Sequence, residues 1–389
     1  MKIDLIEGRV IEVPDQLEEF RVTEKKKGKE LHIDTEYSCA YHAKMITSWP
    51  KARHSKKMDL FLLKVIADDG TEGVCFSMDS HSYAMARYVE DRLKKLEGFD
   101  PTNIDKIWHI LSRIERTDKT PVYLQAFLDV ALWDLLSKKA NLPLYKLLGG
   151  NKDRVLAYAS TLTLPSLESY WETVKECIEI GYKAIKVHVT GDYKADIKIA
   201  KTVREAAGDE IILMLDASGS YDYEHALIVG KELEKLNYYW FEEPIRDYYK
   251  YSLSRLRKHI SVPLNVGERQ AETPYEMAEY LLQDSADIIH GGWPFKGGIS
   301  SLMKMANFCE LLGVKFQVHT PGYPSLHLAC AIKNCEFYEL ILPPDVFHYC
   351  SKDSALIPDK DGFVYPPNRP GIGWNLDWDI IENSTIEIV

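Results

Sequence analysis

Ile211-Ile212-Leu213-Met214-Leu215-Asp216, Tyr239-Trp240-Phe241-Glu242 and Leu264-Asn265-Val266-Gly267-Glu268 are three apolar runs, each finishing on a carboxylate. Runs this short are poor helices and fit strands buried on both faces. From Asp216 to Glu242 is 26 residues, and from Glu242 to Glu268 is 26 again. One strand and one returning helix fill such an interval. Three consecutive βα units then deliver three acids to the same end of a parallel sheet.

The pattern continues on both sides. The strand candidates are Val155–Ala159, Ala184–His188, Ile211–Asp216, Tyr239–Glu242, Leu264–Gly267, Ala286–His290, Val314–His319 and Phe337–Ile341, with amphipathic helices between them. Gly181 stops the first helix and Gly313 stops the one beginning near Ile299. Thr273-Pro274-Tyr275-Glu276 supplies an N-cap, a proline at the first helical position and a capping-box glutamate. Eight strands in this alternation predict a TIM-like α/β barrel, with a doubly wound open sheet as the competing arrangement. Active sites of barrels lie on the C-terminal face, where these acids fall. No G-x-G-x-x-G or G-K-[ST] turn follows a strand, so a nucleotide site has no support.

Ahead of the barrel lies a small α+β unit. Met1 to Val13 alternates as a half-buried strand does, and Leu60–Ala67 and Thr71–Phe76 flank the turn Asp68-Asp69-Gly70. Helical periodicity follows over Tyr83–Leu96, Ile104–Ile114 and Val122–Lys139. The expected division is residues 1–135, completed by about 372–389, and residues 136–371 for the barrel.

The chain has 389 residues, 46% hydrophobic and 28% charged, with a formal net charge of -11, which favours solubility and argues against a nucleic-acid partner. No apolar run is long enough to span a membrane and no leader pattern opens the chain, so a cytoplasmic protein is expected. The seven scattered cysteines read as reduced core residues.

Three converging carboxylates cannot all stay ionised without a compensating charge. A hard divalent cation answers that need, and Mg²⁺ keeps coordination positions for water and substrate. Lys186 and His188 share one face of their strand, being two residues apart. His319 ends the seventh strand, and Glu339 falls in the eighth.

Lys186-Val187-His188, Asp216, Glu242-Glu243-Pro244, Gly267-Glu268 and His319 resemble the motif series of the mandelate racemase subgroup of the enolase superfamily. The resemblance extends to Trp133-Asp134 and Leu147-Leu148-Gly149-Gly150. It implies an N-terminal α+β capping domain on a modified (β/α)7β barrel, one Mg²⁺ per subunit (Mn²⁺ as a substitute), and a homo-oligomer. Its chemistry begins with loss of a proton next to a carboxylate. Carried over by position, Asp216, Glu242 and Glu268 bind the ion. Lys186 lies beside the substrate carboxylate, His188 stands where many relatives carry a lysine base, His319 is the opposed acid/base, and Glu339 hydrogen-bonds the substrate carboxylate. Relatives back the seventh-strand histidine with an aspartate where this chain has Gly292, with His290 as a possible substitute. That same position holds a lysine in muconate-cycloisomerase-like members, so that subgroup is disfavoured.

The resemblance implies a dehydratase of a sugar acid, an aldonate or aldarate, giving a 2-keto-3-deoxy acid. A racemase or epimerase using His188 and His319 as opposed bases is the alternative, and an inactive metal-binding barrel with a binding or regulatory role is an alternative of another class. Substrate contacts from the early loops are expected at His32, Asp34, Arg53, His54 and His81.

Overall fold

The structure, a computed structural model, describes residues 1–14, 57–78, 82–118, 122–268, 273–342 and 350–389. Its first sheet is antiparallel, built from β1 (Ile3–Pro14), β2 (Lys57–Ala67) and β3 (Glu72–Met78). The turn between β2 and β3 closes with Ala67 N–H donating to Thr71 O at 2.9 Å, and Gly70 supplies φ +81°. Three helices follow: α1 (Ser82–Asp91), α2 (Ile104–Asp118) and α3 (Val122–Lys139). The expected single helix over Tyr83–Leu96 is broken: α1 stops at Asp91, and Leu93–Leu96 is a separate 3₁₀ turn. Leu93 and Leu96, three apart, both reach the core from this turn.

The barrel strands are β4 (Val155–Ser160), β5 (Ala184–His188), β6 (Ile212–Asp216), β7 (Trp240–Glu242), β8 (Leu264–Val266), β9 (Ile288–Gly292), β10 (Lys315–His319) and β11 (Phe337–Ile341). They run parallel in the order β10-β9-β8-β7-β6-β5-β4-β11. A short helix, α4 (Leu144–Leu147), precedes them. The crossover helices are α5 (Leu167–Ile180), α6 (Tyr193–Ala207), α7 (Tyr223–Lys235), α8 (Lys250–Arg257), α9 (Pro274–Leu282), α10 (Ile299–Leu311) and α11 (Tyr323–Ala331). The architecture is a nearly closed (β/α)7β barrel. At the seam between β10 and β11 a side chain links the strands, Gln317 Nε2 donating to Phe337 O at 2.8 Å. The capping box at Thr273 and Glu276 forms as its sequence indicates.

The bottom of the barrel is plugged by Tyr158, Ala184, Met214, Trp240, Ile288 and Phe337. Trp240 packs edge-on against Tyr158 and Phe337 at 5.7 and 5.8 Å, a geometry aromatic quadrupoles favour. This apolar floor keeps water out from below and fixes the depth at which polar side chains begin.

After β12 (Phe363–Val364), the chain returns through α12 (Trp378–Ser384) to β13 (Thr385–Ile388), which pairs antiparallel with β1. Helix α3 is apolar on nearly every side and lies between the antiparallel sheet and the barrel. Asp134 accepts from the backbone N–H of Val74 and of Ile372, tying three distant segments together. Asp129 caps the start of α10 by accepting from Ser300 N–H at 3.0 Å, and Trp133 Nε1 donates to Ser300 Oγ. Gly298 stands there at φ +94°, and a Cβ on it would lie 2.6 Å from that of Asp129. Burial pushes the Asp129 carboxyl up to about 6, against the hydrogen bonds of Ser300.

Candidate active site

The ladder register assembles the site before any side chain is considered. His188 on β5 lies opposite Asp216 on β6, which lies opposite Glu242 on β7. On the far side, His319 on β10 lies opposite Gly292 on β9. Parallel strands carry matched residues at matched heights, so three βα units become one row of acids.

Lys186 sits wholly buried beneath this row. Its Nζ is 2.7 Å from Glu242 Oε1, 3.1 Å from Glu339 Oε1 and 3.5 Å from Asp216 Oδ2. Burial works against its charge, but Glu242 and Glu339 outweigh it and hold the amine well above the usual lysine range. Glu339 feels the reverse: burial opposes ionisation, and Lys186 and His319 keep it well below the carboxylate range. Asp216 is likewise held low, burial being overcome by His188 and Lys186. Glu242 is pushed well above its usual value by burial and by Asp216, Glu339 and Glu268, with Lys186 opposing. Lys186 is the one buried amine these four acids share, so the cluster carries surplus negative charge.

Glu242 is also the best-anchored member. Trp240 Nε1 donates to its Oε2 at 2.9 Å, and Asn265 Nδ2 donates to the same oxygen at 3.2 Å. Glu243, forced to φ +38°, accepts from Glu268 N–H at 2.9 Å and sets where Glu268 begins.

His188 Nδ1–H donates to the Thr161 carbonyl at 2.5 Å, which leaves Nε2 facing Asp216 Oδ2 at 2.9 Å. His319 Nε2 stands 3.3 Å from Glu339 Oε2 and 3.7 Å from Glu268 Oε1. The His188 and His319 side chains are 28% and 12% exposed, more than any of the acids, so a molecule entering from solvent meets two imidazoles first.

A divalent ion fits these residues. Ligand atoms of Glu242, Glu268 and His290 all lie within 4.8 Å of one another. His290 is fully buried, burial holds it well below the usual imidazole range, and neither ring nitrogen has a hydrogen-bond partner among the described residues. Its Nδ1 is 3.6 Å from Glu242 Oε1. Asp216 is the ladder partner of Glu242, so the third acid adjoins this group. Surplus negative charge, carboxylate oxygens and an idle imidazole suit a hard or borderline dication.

Lys186, His188, Asp216, Glu242, Glu268, His319 and Glu339 therefore all meet on one barrel face. His32, Asp34, Arg53, His54 and His81 lie outside the described residues. Thr320 is an addition that the strand pattern did not single out. It follows His319 with φ +76°, rare for a β-branched residue and worth about 1–3 kcal/mol of strain.

A (β/α)7β barrel under an α+β cap, with acids on successive strand ends around a buried lysine, defines the enolase-type class. The enolase C-terminal domain-like family model matches residues 170–380, and the mandelate racemase / muconate lactonizing enzyme N-terminal domain model matches residues 44–149. The chain belongs to this mandelate racemase / muconate lactonizing enzyme family of the enolase superfamily. It is similar to an arabinonate dehydratase of Saccharolobus solfataricus, 33% identical over 65% of this chain and 70% of that one. It is also similar to an L-talarate/galactarate dehydratase of Salmonella typhimurium, 30% identical over 86% and 84% of the two chains. A solved structure of D-glucarate dehydratase from Agrobacterium tumefaciens, complexed with magnesium, matches with TM-score 0.84 and 29% identity over 100% of both chains. No helix among the described residues is long and apolar enough to cross a membrane.

Proposed function

We propose that the chain is a Mg²⁺-dependent dehydratase of a sugar acid, an aldonate or aldarate. It is a lyase of the hydro-lyase class. The carrying observation is the buried Lys186 held between Glu242 and Glu339, with His188 two residues on along the same strand and His319 on the opposite side of the barrel. Its relatives named as arabinonate and L-talarate/galactarate dehydratases support the same class.

Asp216, Glu242 and Glu268 would hold the ion, with His290 beside them. When bound, Mg²⁺ supplies positive charge against the negative charge that builds on a deprotonated carboxylic acid. Lys186 adds a fixed cation, in a dry site where it is worth more than in water. His188 takes the α-proton at Nε2, because Thr161 fixes its Nδ1–H. The electron pair from that C–H bond moves into the carboxylate to form an enediolate. As it returns, the bond to the β-hydroxyl breaks, and His319 Nε2 gives the leaving oxygen a proton so that it departs as water. The enol product then tautomerises to a 2-keto-3-deoxy acid. Glu339 accepts from Thr320 N–H at 3.1 Å, and to hydrogen-bond the substrate carboxylate it would first take up a proton, for which His319 Nε2 stands 3.3 Å away. On this reading the enzyme works in the cytoplasm as a homo-oligomer on a small carboxylate.

The test is incubation of protein and Mg²⁺ in D₂O with a panel including arabinonate, galactarate and glucarate. Formation of 2-keto acid from at least one member is expected. Deuterium entering the α-carbon without keto acid selects racemisation or epimerisation by two opposed histidines. Inertness across a wide panel of aldonates and aldarates selects a barrel that binds without catalysis.

A further inference from the structure

Among the described residues, His319 has no acidic partner at Nδ1. The atom facing that nitrogen is Thr320 Oγ1, at 3.2 Å. The facing position on β9 is Gly292, and a Cβ there would run into Thr320 Oγ1 and stand 3.1 Å from His319 O. Gly292 is not at positive φ, so the constraint on it is space and not backbone conformation. The two positions exclude one another: a side chain can occupy this volume from β9 or from Thr320, but not from both.

The remaining contacts of the ring are equally defined. Nε2 points to Glu339 and Glu268, and His290 packs against the ring edge-to-face at 4.7 Å between centroids. Ser325 Oγ donates to His319 O at 3.3 Å, which steadies the backbone. The left-handed conformation of Thr320 serves two contacts at once: its N–H meets Glu339 while its hydroxyl meets His319. A conformation this disfavoured, held at a site and engaged on two sides, points to a positional task.

We propose that Thr320 is the positioning residue of His319: its hydroxyl, seated in the space Gly292 leaves, accepts from His319 Nδ1–H and reserves Nε2 for proton exchange in the site. A hydroxyl is neutral, so it fixes ring orientation without adding another negative charge to an acid-rich centre, and with its own proton turned away it accepts from Nδ1–H. The assignment gives His319 the job it has in the dehydratase reading and rests on that reading for its catalytic consequence. The tautomer itself does not depend on turnover.

The experiment labels histidine imidazoles with ¹⁵N in the full-length, Mg²⁺-loaded protein, at a pH alkaline enough for neutral rings. The His319 signal is assigned by its loss in His319→Gln. The wild type is expected to show the Nδ1–H tautomer at His319. Thr320→Val, which keeps the branched shape but not the hydroxyl, should shift it toward Nε2–H. Thr320→Ser should restore the wild-type pattern. Gly292→Ala, whose Cβ would meet Thr320 Oγ1 before any other atom and so displace Thr320, should behave like Thr320→Val. On whichever panel acid is turned over, Thr320→Val should lower kcat by about 10–100-fold with KM nearly unchanged, and Thr320→Ser should recover most of it. An Nε2–H tautomer in the wild type, an unchanged signal in Thr320→Val, or equal kcat losses in the Val and Ser variants overturns the proposal. A panel without turnover counts against the dehydratase reading alone, since the tautomer still decides the role of Thr320.

Discussion

Lys186→Met is expected to destabilise the metal-free protein by about 3–5 kcal/mol, the usual loss when one partner of a buried ion pair is removed. Lys186 is the cation shared by Glu242, Glu339 and Asp216, at 2.7, 3.1 and 3.5 Å. Without it, burial governs these acids. Glu339, now held below the carboxylate range by Lys186 and His319 against burial, would move above it. A carboxyl whose folded value is raised gives stability below its unfolded value and loses it as pH rises through the folded one. The deficit of the variant should therefore grow from about pH 4.5 upward. Urea unfolding in chelator across that range measures it. Added Mg²⁺ should recover part of the loss, because a ligand of the folded state alone stabilises that state. Turnover should stay about 10²–10³-fold down even with saturating Mg²⁺. A metal-free variant as stable as wild type at neutral pH would show that Lys186 is not the charge that holds the acids together.

His188→Asn and His319→Asn are expected to fail in different ways, each lowering dehydration by about 10²–10⁴-fold. Asparagine at 188 can still donate to Thr161 O, so the variant removes the proton acceptor at Nε2 while keeping the local hydrogen bond. It should lose both α-hydrogen exchange in D₂O and keto-acid formation. Asparagine at 319 removes the group facing Glu339, and should lose keto acid while α-exchange continues. The opposite pattern would exchange the roles of the two histidines. Loss of exchange in both variants would favour two-base chemistry.

The acids and the barrel were legible in the sequence because both are local. A short apolar run ending in Asp or Glu needs only its own residues to be recognised, and equal 26-residue intervals fix the common face. What is not local was less legible. Ala286–His290 is the apolar stretch, yet the strand is Ile288–Gly292, because its two glycines continue it instead of ending it. A Cβ on Gly291 would press on the flexible end of Met277 at 2.9 Å, and one on Gly292 would run into Thr320. Conversely, Gly267 does end its strand, at φ +109°. Composition cannot tell a glycine that makes space from one that makes a turn. Thr320 was invisible for the same reason: its importance depends on what stands across from it on β9. The sequence offers His290 only as a substitute partner for His319, and its nearness to Glu242 and Glu268 emerges from the fold.

Calorimetric titration of Mg²⁺ into the wild type and into Glu242→Gln tests the central claim most directly. Glu242 is the acid gripped by Trp240, Asn265 and Lys186, and the amide keeps its shape while removing its charge. The expected result is one Mg²⁺ per chain in the wild type, and loss of both binding and keto-acid formation in the variant. A wild type that takes up neither Mg²⁺ nor Mn²⁺, or a variant that binds and turns over as before, would contradict it.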